Sequence, residues 1–466
     1  MYKYFQQAKV TRSASFASSA KIAFRIAARA TALSLTISCA LYAASPAQAQ
    51  QPDPDLVAYI NSIKAIDNHA HVTGLDLAHD RGFDQLRCDE LPASTTLPPA
   101  NLRFNADQQA AYKTLFGFDA KTGDEAEIKK IQELEIAARQ NHGAGFYSWL
   151  MDQAGLETVF ANRTALASEM KPPQIHWVPY EDALLFPLDN SAAKAVNLDR
   201  RVLFGDAEGL LNTYLLDAGL SRIPPTLDAY VEKVVQPTLQ KQKAAGAIAV
   251  KFEAAYLRRL DFAPASPDAA ARIYAKYAVG GNPTPEEYKT LQDFIFKQIA
   301  IEAGRLGLAV HFHTGSGCGE FFDDSGADAM LLSPALNDPD LRKTNFVLLH
   351  GNQPRSPNVS VLILKPNVYT DTSVLELMYS PSELARIMRP WLELMPEHVV
   401  FGTDAGPFGP GLDWEETTLI GAQHLRRALA LVLTDMVRDG TITRQRAKQI
   451  AELVLHGNAA QLYKIN

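Results

Sequence analysis

The sequence predicts an α/β fold, a (β/α)8 TIM barrel with long loops over one end. Three observations predict it. Eight short apolar runs stand along the chain, amphipathic helical stretches separate most of them, and the runs tend to end in polar, chemically capable residues. In such a barrel the catalytic groups sit where the strands end, so the ends of the runs are where chemistry is expected.

The expected strands are Ala65 to His71, Thr158 to Asn162, Ile175 to Pro179, Ala247 to Glu253, Leu308 to Thr314, Asn345 to His350, Asn367 to Thr372 and His398 to Asp404. Helical patterns such as "TLDAYVEKVVQPTLQKQKAAG" and "TPEEYKTLQDFIFKQIAIEAGRLG" lie between them, each closed by a glycine suited to a helix C-terminus. Insertions are expected at about 72–130 after the first strand, 254–285 after the fourth, and 405–420, a Gly/Pro-rich loop, after the eighth. All three follow strands, so all three are expected over the catalytic face.

Composition bounds the rest. The chain has 466 residues, 47% hydrophobic and 21% charged, which is enough apolar mass for a large core. Residues 1–49 read differently: six Lys and Arg without an acid, the apolar stretch "ATALSLTISCALYAA", then Ala47-Gln48-Ala49. That is the pattern of a secretory signal peptide cleaved after Ala49, leaving a barrel domain over 50–466 exported to the periplasm. The apolar stretch is shorter than the roughly 20 residues that span a bilayer. Removing six cations takes the formal charge from -7 to -13. An acidic protein of this kind argues against nucleic acid or an anionic membrane surface as partner, and a small-molecule substrate is expected. A homo-oligomer is compatible with the sequence. After cleavage Cys88 and Cys318 remain, and two free thiols are expected, since two cysteines make no disulfide framework.

His69 and His71 in "AIDNHAHV" are two apart on an extended segment, so they share a face and can converge on one ion. Two neutral imidazoles on a rigid strand are half of a first-row metal site. The other strand ends add to them. "LAVHFHTG" ends in His313, "FVLLHGN" in His350 and "VVFGTDA" in Asp404. If the ring closes in sequence order, strand eight lies beside strand one, and Asp404 arrives next to the His69 and His71 pair. Four imidazoles and a carboxylate at one end of a barrel point to a bound divalent metal.

With these pieces in place, residues 57–466 resemble the amidohydrolase superfamily, specifically its amidohydrolase-related (amidohydrolase 2) family. Within it they are similar to the domain found ahead of glutamine synthetase in nodulin-type proteins. The resemblance is carried by "DNHAHV", "AVKFEAAYLRRL", "HFHTGSG", "VLLHGN", "NVYTDTS", "VVFGTDA" and the terminal "LVLHGNAAQLYKIN", in the family's order. It implies that His69 and His71 are the strand-one metal pair, His313 the strand-five ligand, His350 the strand-six histidine, and Asp404 the aspartate touching both metal and nucleophilic water. It implies Zn2+ first, with one ion or two left open, although Mn2+, Fe2+ or Ni2+ suit the same ligands. Lys251 is either carboxylated and bridging two ions, or an ordinary lysine pairing with Asp404 or a substrate carboxylate. Glu253, on the same face, is an acid/base group or the ion-pair partner of Lys251. Tyr256 and Arg258 match positions that bind a substrate carboxylate or phenol, with holding their loop as the alternative. His311 reads as a hydrogen-bonded core residue, and His79, His142, His176, His398, His424 and His456 as structural or surface groups.

The activity this implies is hydrolysis of an amide, lactone, lactam or related bond of a small molecule. Asp404 would move the proton, while His350 and the metal would steady the developing oxyanion. Decarboxylation of a small aromatic or related acid is the rival reaction, a uronate-isomerase-like reaction a third, and a catalytically retired binding barrel the non-enzymatic alternative. "HTGSGCGEFFDD" departs from the family's shorter pattern, so substrate preference there does not transfer.

Overall fold

The computed structural model describes residues 51–80, 82, 104–196, 198–319 and 321–465. The expected leader at 1–49, Cys88 and much of the first insertion lie outside them. The eight strands are β1 (Ala65–Ala70), β2 (Leu156–Asn162), β3 (Ile175–Val178), β4 (Ala249–Phe252), β5 (Ala309–His313), β6 (Phe346–Leu349), β7 (Val368–Asp371) and β8 (Val399–Val400). β1 to β3 pair in parallel and in order, and so do β4 to β8.

Two seams join the sheets. At the first, Ile248 N donates to Trp177 O at 3.0 Å and Lys251 N to Pro179 O at 2.8 Å. At the second, Asn68 N donates to Phe401 O at 2.9 Å, Asp404 N to His69 O at 2.8 Å and His71 N to Ala405 O at 2.7 Å. The ring is therefore continuous, and strand eight does neighbour strand one. β8 itself is only two residues long, because beyond Val400 the backbone bonds to the end of β1 in an irregular path.

The central strands form because both faces are buried. β4, β5 and β6 expose no residue on either side, as apolar runs in parallel sheets require. The barrel interior is lined by Ile66, Phe160, Val178, Ala249, Ala309, Val347, Leu349 and Val400, from seven of the strands. The last helix, Asn458–Tyr463, plugs it with Ala459, Leu462 and Tyr463, the last ring edge-on to Phe160 at 4.6 Å.

Helix Pro285–Leu306 starts with a capping box between Thr284 and Glu287 and stops at Gly307, whose φ of 68° is left-handed. The stretch at 226–246 is less regular than its pattern suggests. A π turn at Val231–Val235 precedes Gln236–Ala244, where Pro237 lacks the donor that a continuous α-helix needs.

The expected loop at 405–420 is a loop only as far as Asp413. That residue caps helix Trp414–Arg438 through a capping box with Glu416, and the buried Trp414 anchors its first turn. The described parts of the other two insertions carry helices too: Ala106–Phe116 and Glu125–His142 after β1, Pro267–Tyr277 after β4. No helix among the described residues is long and apolar enough to cross a membrane.

Candidate metal centre

Asp404, just past β8, is the hub. Its Oδ1 lies 2.7 Å from His69 Nε2 and 3.2 Å from His71 Nε2, and its Oδ2 lies 3.8 Å from His350 Nδ1. His313 joins from β5, its ring 4.5 Å from that of His350. Sequence residues from four strand ends thus meet in one bowl.

The tightest gathering of donor atoms is His69, His350 and Asp404, all within 4.8 Å of one another. His350 therefore belongs to the same gathering as His69 and Asp404, the two expected ligands. A register irregularity between Asp67 and Ala70 contributes. Ile66 faces the barrel interior and Asn68 reaches across to Asp371, so strict alternation from them would turn His69 outward, and the irregularity turns it in.

Two of these residues carry unusual backbone. His350 has φ 64° and Asp404 has φ 55°, left-handed values that cost a non-glycine residue energy unless the surroundings hold them. Here they are held by His350 N donating to Asp371 Oδ1 at 2.8 Å and Asp404 N donating to His69 O at 2.8 Å.

Burial, joined by the positive charge of Lys251, holds His69 and His313 well below the usual imidazole range. For His350 burial again comes first, with His313 and Lys251 adding to it. Their rings are neutral near pH 7 and offer lone pairs. Burial opposes ionisation of Asp404, but the rings of His350 and His69 beside it, with hydrogen bonds from His69 and His71, hold its carboxyl well below the ordinary range. Neutral imidazoles with one carboxylate suit a borderline divalent ion. His313 Nε2 fits that too, being buried without a hydrogen-bond partner among the described residues. The residues present fit a metal.

The groups behind this bowl were not singled out from sequence. Asn162, ending β2, places Nδ2 2.6 Å from His69 Nδ1 while its Oδ1 has no partner. Turning that amide would offer Oδ1 to an Nδ1–H, the tautomer that frees Nε2 for an ion. Tyr180, just past β3, brings its hydroxyl to 3.5 Å from His71 Nδ1. Asp371 and Ser373 stand behind His350. Asp67 accepts from Thr403 Oγ1 at 2.6 Å, and burial pushes both Asp67 and Asp371 up to about 7. The available signal was position: Asn162 and Asp371 each end an apolar run in the same way as His313.

Of the remaining expected residues, Lys251 is fully buried, with Nζ 3.5 Å from His69 Nε2 and 3.7 Å from Glu253 Oε1. That is the lysine–glutamate pairing weighed for Glu253. Tyr256 lines the bowl, its ring 4.6 Å from His313 and 5.0 Å from Phe322, and its hydroxyl accepts from Cys318 N at 3.4 Å. Arg258 sits as the loop-holding alternative expects. Its guanidinium is committed to Asp293 at 2.8 Å and Gln292 at 3.1 Å and stacks on Phe262 at 4.0 Å, so it holds the loop. Cys318 is also corrected: it is disulfide-bonded, where a free thiol was expected. Spacing in sequence says nothing about which sulfurs approach, and the fold decides it.

His311 is the core residue expected, its Nε2 2.7 Å from the Tyr463 hydroxyl. His79, His398, His424 and His456 are tied to Asp76, Ile363 O, Asp107 and Glu157, away from the bowl.

A family model described as Amidohydrolase matches residues 210–465, more than half of the chain. The chain belongs to the amidohydrolase family. It is 30% identical over 203 residues to Protein fluG of Emericella nidulans, a match spanning 42% of this chain and only 22% of that protein. Among solved structures, the amidohydrolase fold seen here is similar to a protein described as a metal-dependent hydrolase from Lactobacillus casei, at 16% identity and TM-score 0.59, covering 88% of this chain and 97% of that one. It is also similar to glucuronate isomerase from Caulobacter crescentus, at 14% identity and TM-score 0.58, covering 91% and 97%, and to uronate isomerase from Thermotoga maritima, at 14% and 0.54, covering 88% and 96%. Such identities establish the shared architecture, an amidohydrolase-type barrel common to metal-dependent hydrolases and isomerases.

Proposed function

We propose that the protein is an exported, metal-dependent hydrolase that cleaves an amide, lactone, lactam or related bond of a small molecule. One observation carries this reading: a carboxylate, Asp404, stands 2.7 and 3.2 Å from the Nε2 atoms of His69 and His71. A group that both faces the ion position and stays ionised can take a proton from an attacking water and return it to the leaving atom.

His69, His71, His313 and Asp404 would hold the ion, with Zn2+ as the ion that suits neutral imidazole and carboxylate best. A bound divalent ion supplies Lewis-acid polarisation and a nucleophilic water near neutral pH. Lys251 supports a single ion, because its Nζ stands 3.7 Å from Glu253 Oε1 as an ordinary ion pair. Tyr256 and the half-buried Phe322 give the bowl an aromatic wall on the His313 side, which favours substrates with a planar or apolar part.

The test is elemental analysis of purified protein, followed by a panel of N-acyl, lactone and aromatic-acid substrates with released amine, acid and carbon dioxide measured separately. Asp404→Asn should retain most of the metal and lose turnover by at least about a thousandfold. Unchanged turnover in that variant rejects Asp404 as the proton carrier, and carbon dioxide as product would favour a decarboxylase.

A further inference from the structure

We propose that Asp371 and Ser373 act as a buried positioning pair that fixes His350 as its Nδ1–H tautomer, so that Nε2 meets the reacting group as a proton acceptor.

The donors and acceptors around Asp371 and Ser373 fix the ring proton. Asp371 Oδ1 meets His350 N at 2.8 Å, Ser373 Oγ at 2.8 Å and Ser373 N at 3.3 Å, and Oδ2 meets Asn68 Nδ2 at 2.9 Å. The Asn68 amide is itself oriented, because its Oδ1 accepts from the Tyr463 hydroxyl at 3.3 Å, which in turn faces His311 Nε2 at 2.7 Å. Every neighbour of Asp371 is thus a donor, and these four contacts favour its carboxylate form against the burial that pushes its carboxyl up to about 7. Ser373 has one hydroxyl proton, and it goes to Asp371. Its Oγ can then only accept, and the atom it faces at 2.9 Å is His350 Nδ1. Ser373 O, which can never donate, faces the same nitrogen at 3.3 Å. Two acceptors on one nitrogen place the ring proton there. A neutral imidazole has one N–H, so Nε2 is bare, and it takes no hydrogen bond among the described residues.

This reverses the role expected for His350 from sequence. A bare Nε2 cannot donate to an oxyanion, but it can accept a proton from water or from a substrate hydroxyl. Asp371 and Ser373 touch neither substrate nor metal in this scheme. The tautomer stands on geometry alone, while its catalytic consequence rests on the hydrolytic reading above.

The full-length protein, labelled with 15N-histidine and loaded with Zn2+, tests the two parts separately. Two-bond nitrogen–proton correlations distinguish the tautomers, and the His350 signal is identified by its loss in His350→Gln. The expected result is an Nδ1–H pattern in the wild type, a mixed pattern in Ser373→Ala, and restoration in Ser373→Thr, which keeps the hydroxyl. Ser373→Ala should lower kcat by about 10–100-fold with KM within about twofold and with zinc content retained. An Nε2–H pattern in the wild type overturns the proposal even if the variants do not fold. A correct tautomer in a protein that hydrolyses none of the panel sinks the hydrolytic reading and leaves the positioning pair in place.

Discussion

Glu135 on helix Glu125–His142 offers a test of how the covering insertion is held. It is buried against the start of helix Trp414–Arg438, where Asp413, Glu415 and Glu416 crowd around one cation, Arg139. Arg139 is spent on Glu415, to which it gives two bonds at 2.8 and 2.6 Å, and on Thr73 and Gly74 O just beyond His71. Burial, with Asp413 adding to it, pushes Glu135 from 4.5 up to about 7. A carboxyl raised in this way keeps its proton in the folded protein while the unfolded chain has already lost it. Its contribution is therefore present on the acid side and fades as pH rises through about 7. Between about pH 5.5 and pH 8 the expected loss is about 2 kcal/mol. Glu135→Gln keeps the shape and removes the titration. In urea unfolding followed by far-ultraviolet circular dichroism, the stability difference between variant and wild type should move by about 2 kcal/mol in favour of the variant over that range. A difference that stays flat with pH would show that Glu135 is ionised in the folded protein and that the reasoning from burial is wrong.

Other outcomes follow from single contacts. Arg139→Met should cost about 3–5 kcal/mol, because it leaves Glu415 buried without its cation, and chemical denaturation reads it directly. Arg258→Lys should lower stability by about 1–3 kcal/mol while leaving KM unchanged, since the guanidinium serves the loop; a large KM change would return Arg258 to the substrate. Gly351→Ala, at φ 52° and with the added carbon driven into the Trp391 ring, should misplace the neighbouring His350 and cost both stability and turnover. Dialysis against a chelator should abolish activity and Zn2+ should restore it, with metal content measured in parallel.

Most of the architecture was legible because it depends on local pattern. The strands β5 and β6 are apolar runs that end at a histidine, so "LAVHFHTG" and "FVLLHGN" announce their strands and His313 and His350 together. The bowl could be assembled from those ends once the ring was taken to close in order. What escaped was decided by neighbours distant in sequence. Arg258 looks available until Asp293 and Gln292 are folded against it, and the state of Cys318 depends on a distance no spacing gives. Asn162 and Ser373 act only through the histidine behind which they sit, and a polar residue of that kind has no signature of its own. The expected loop to residue 420 failed for a local reason: its glycines and prolines end before Asp413, which starts a helix.

Closing the ring through β1 and β8 has a consequence for how the protein comes into being. Thr403 Oγ1 bonds Asp67 across 336 residues of chain, and Asp404 reaches His69 by the same route. Contacts of such long range are entropically costly to form and come late in folding. A growing polypeptide would therefore lack the carboxylate of Asp404 beside His69 until strand β8 is made, and the ion-binding pocket would be completed in one step near the end of assembly.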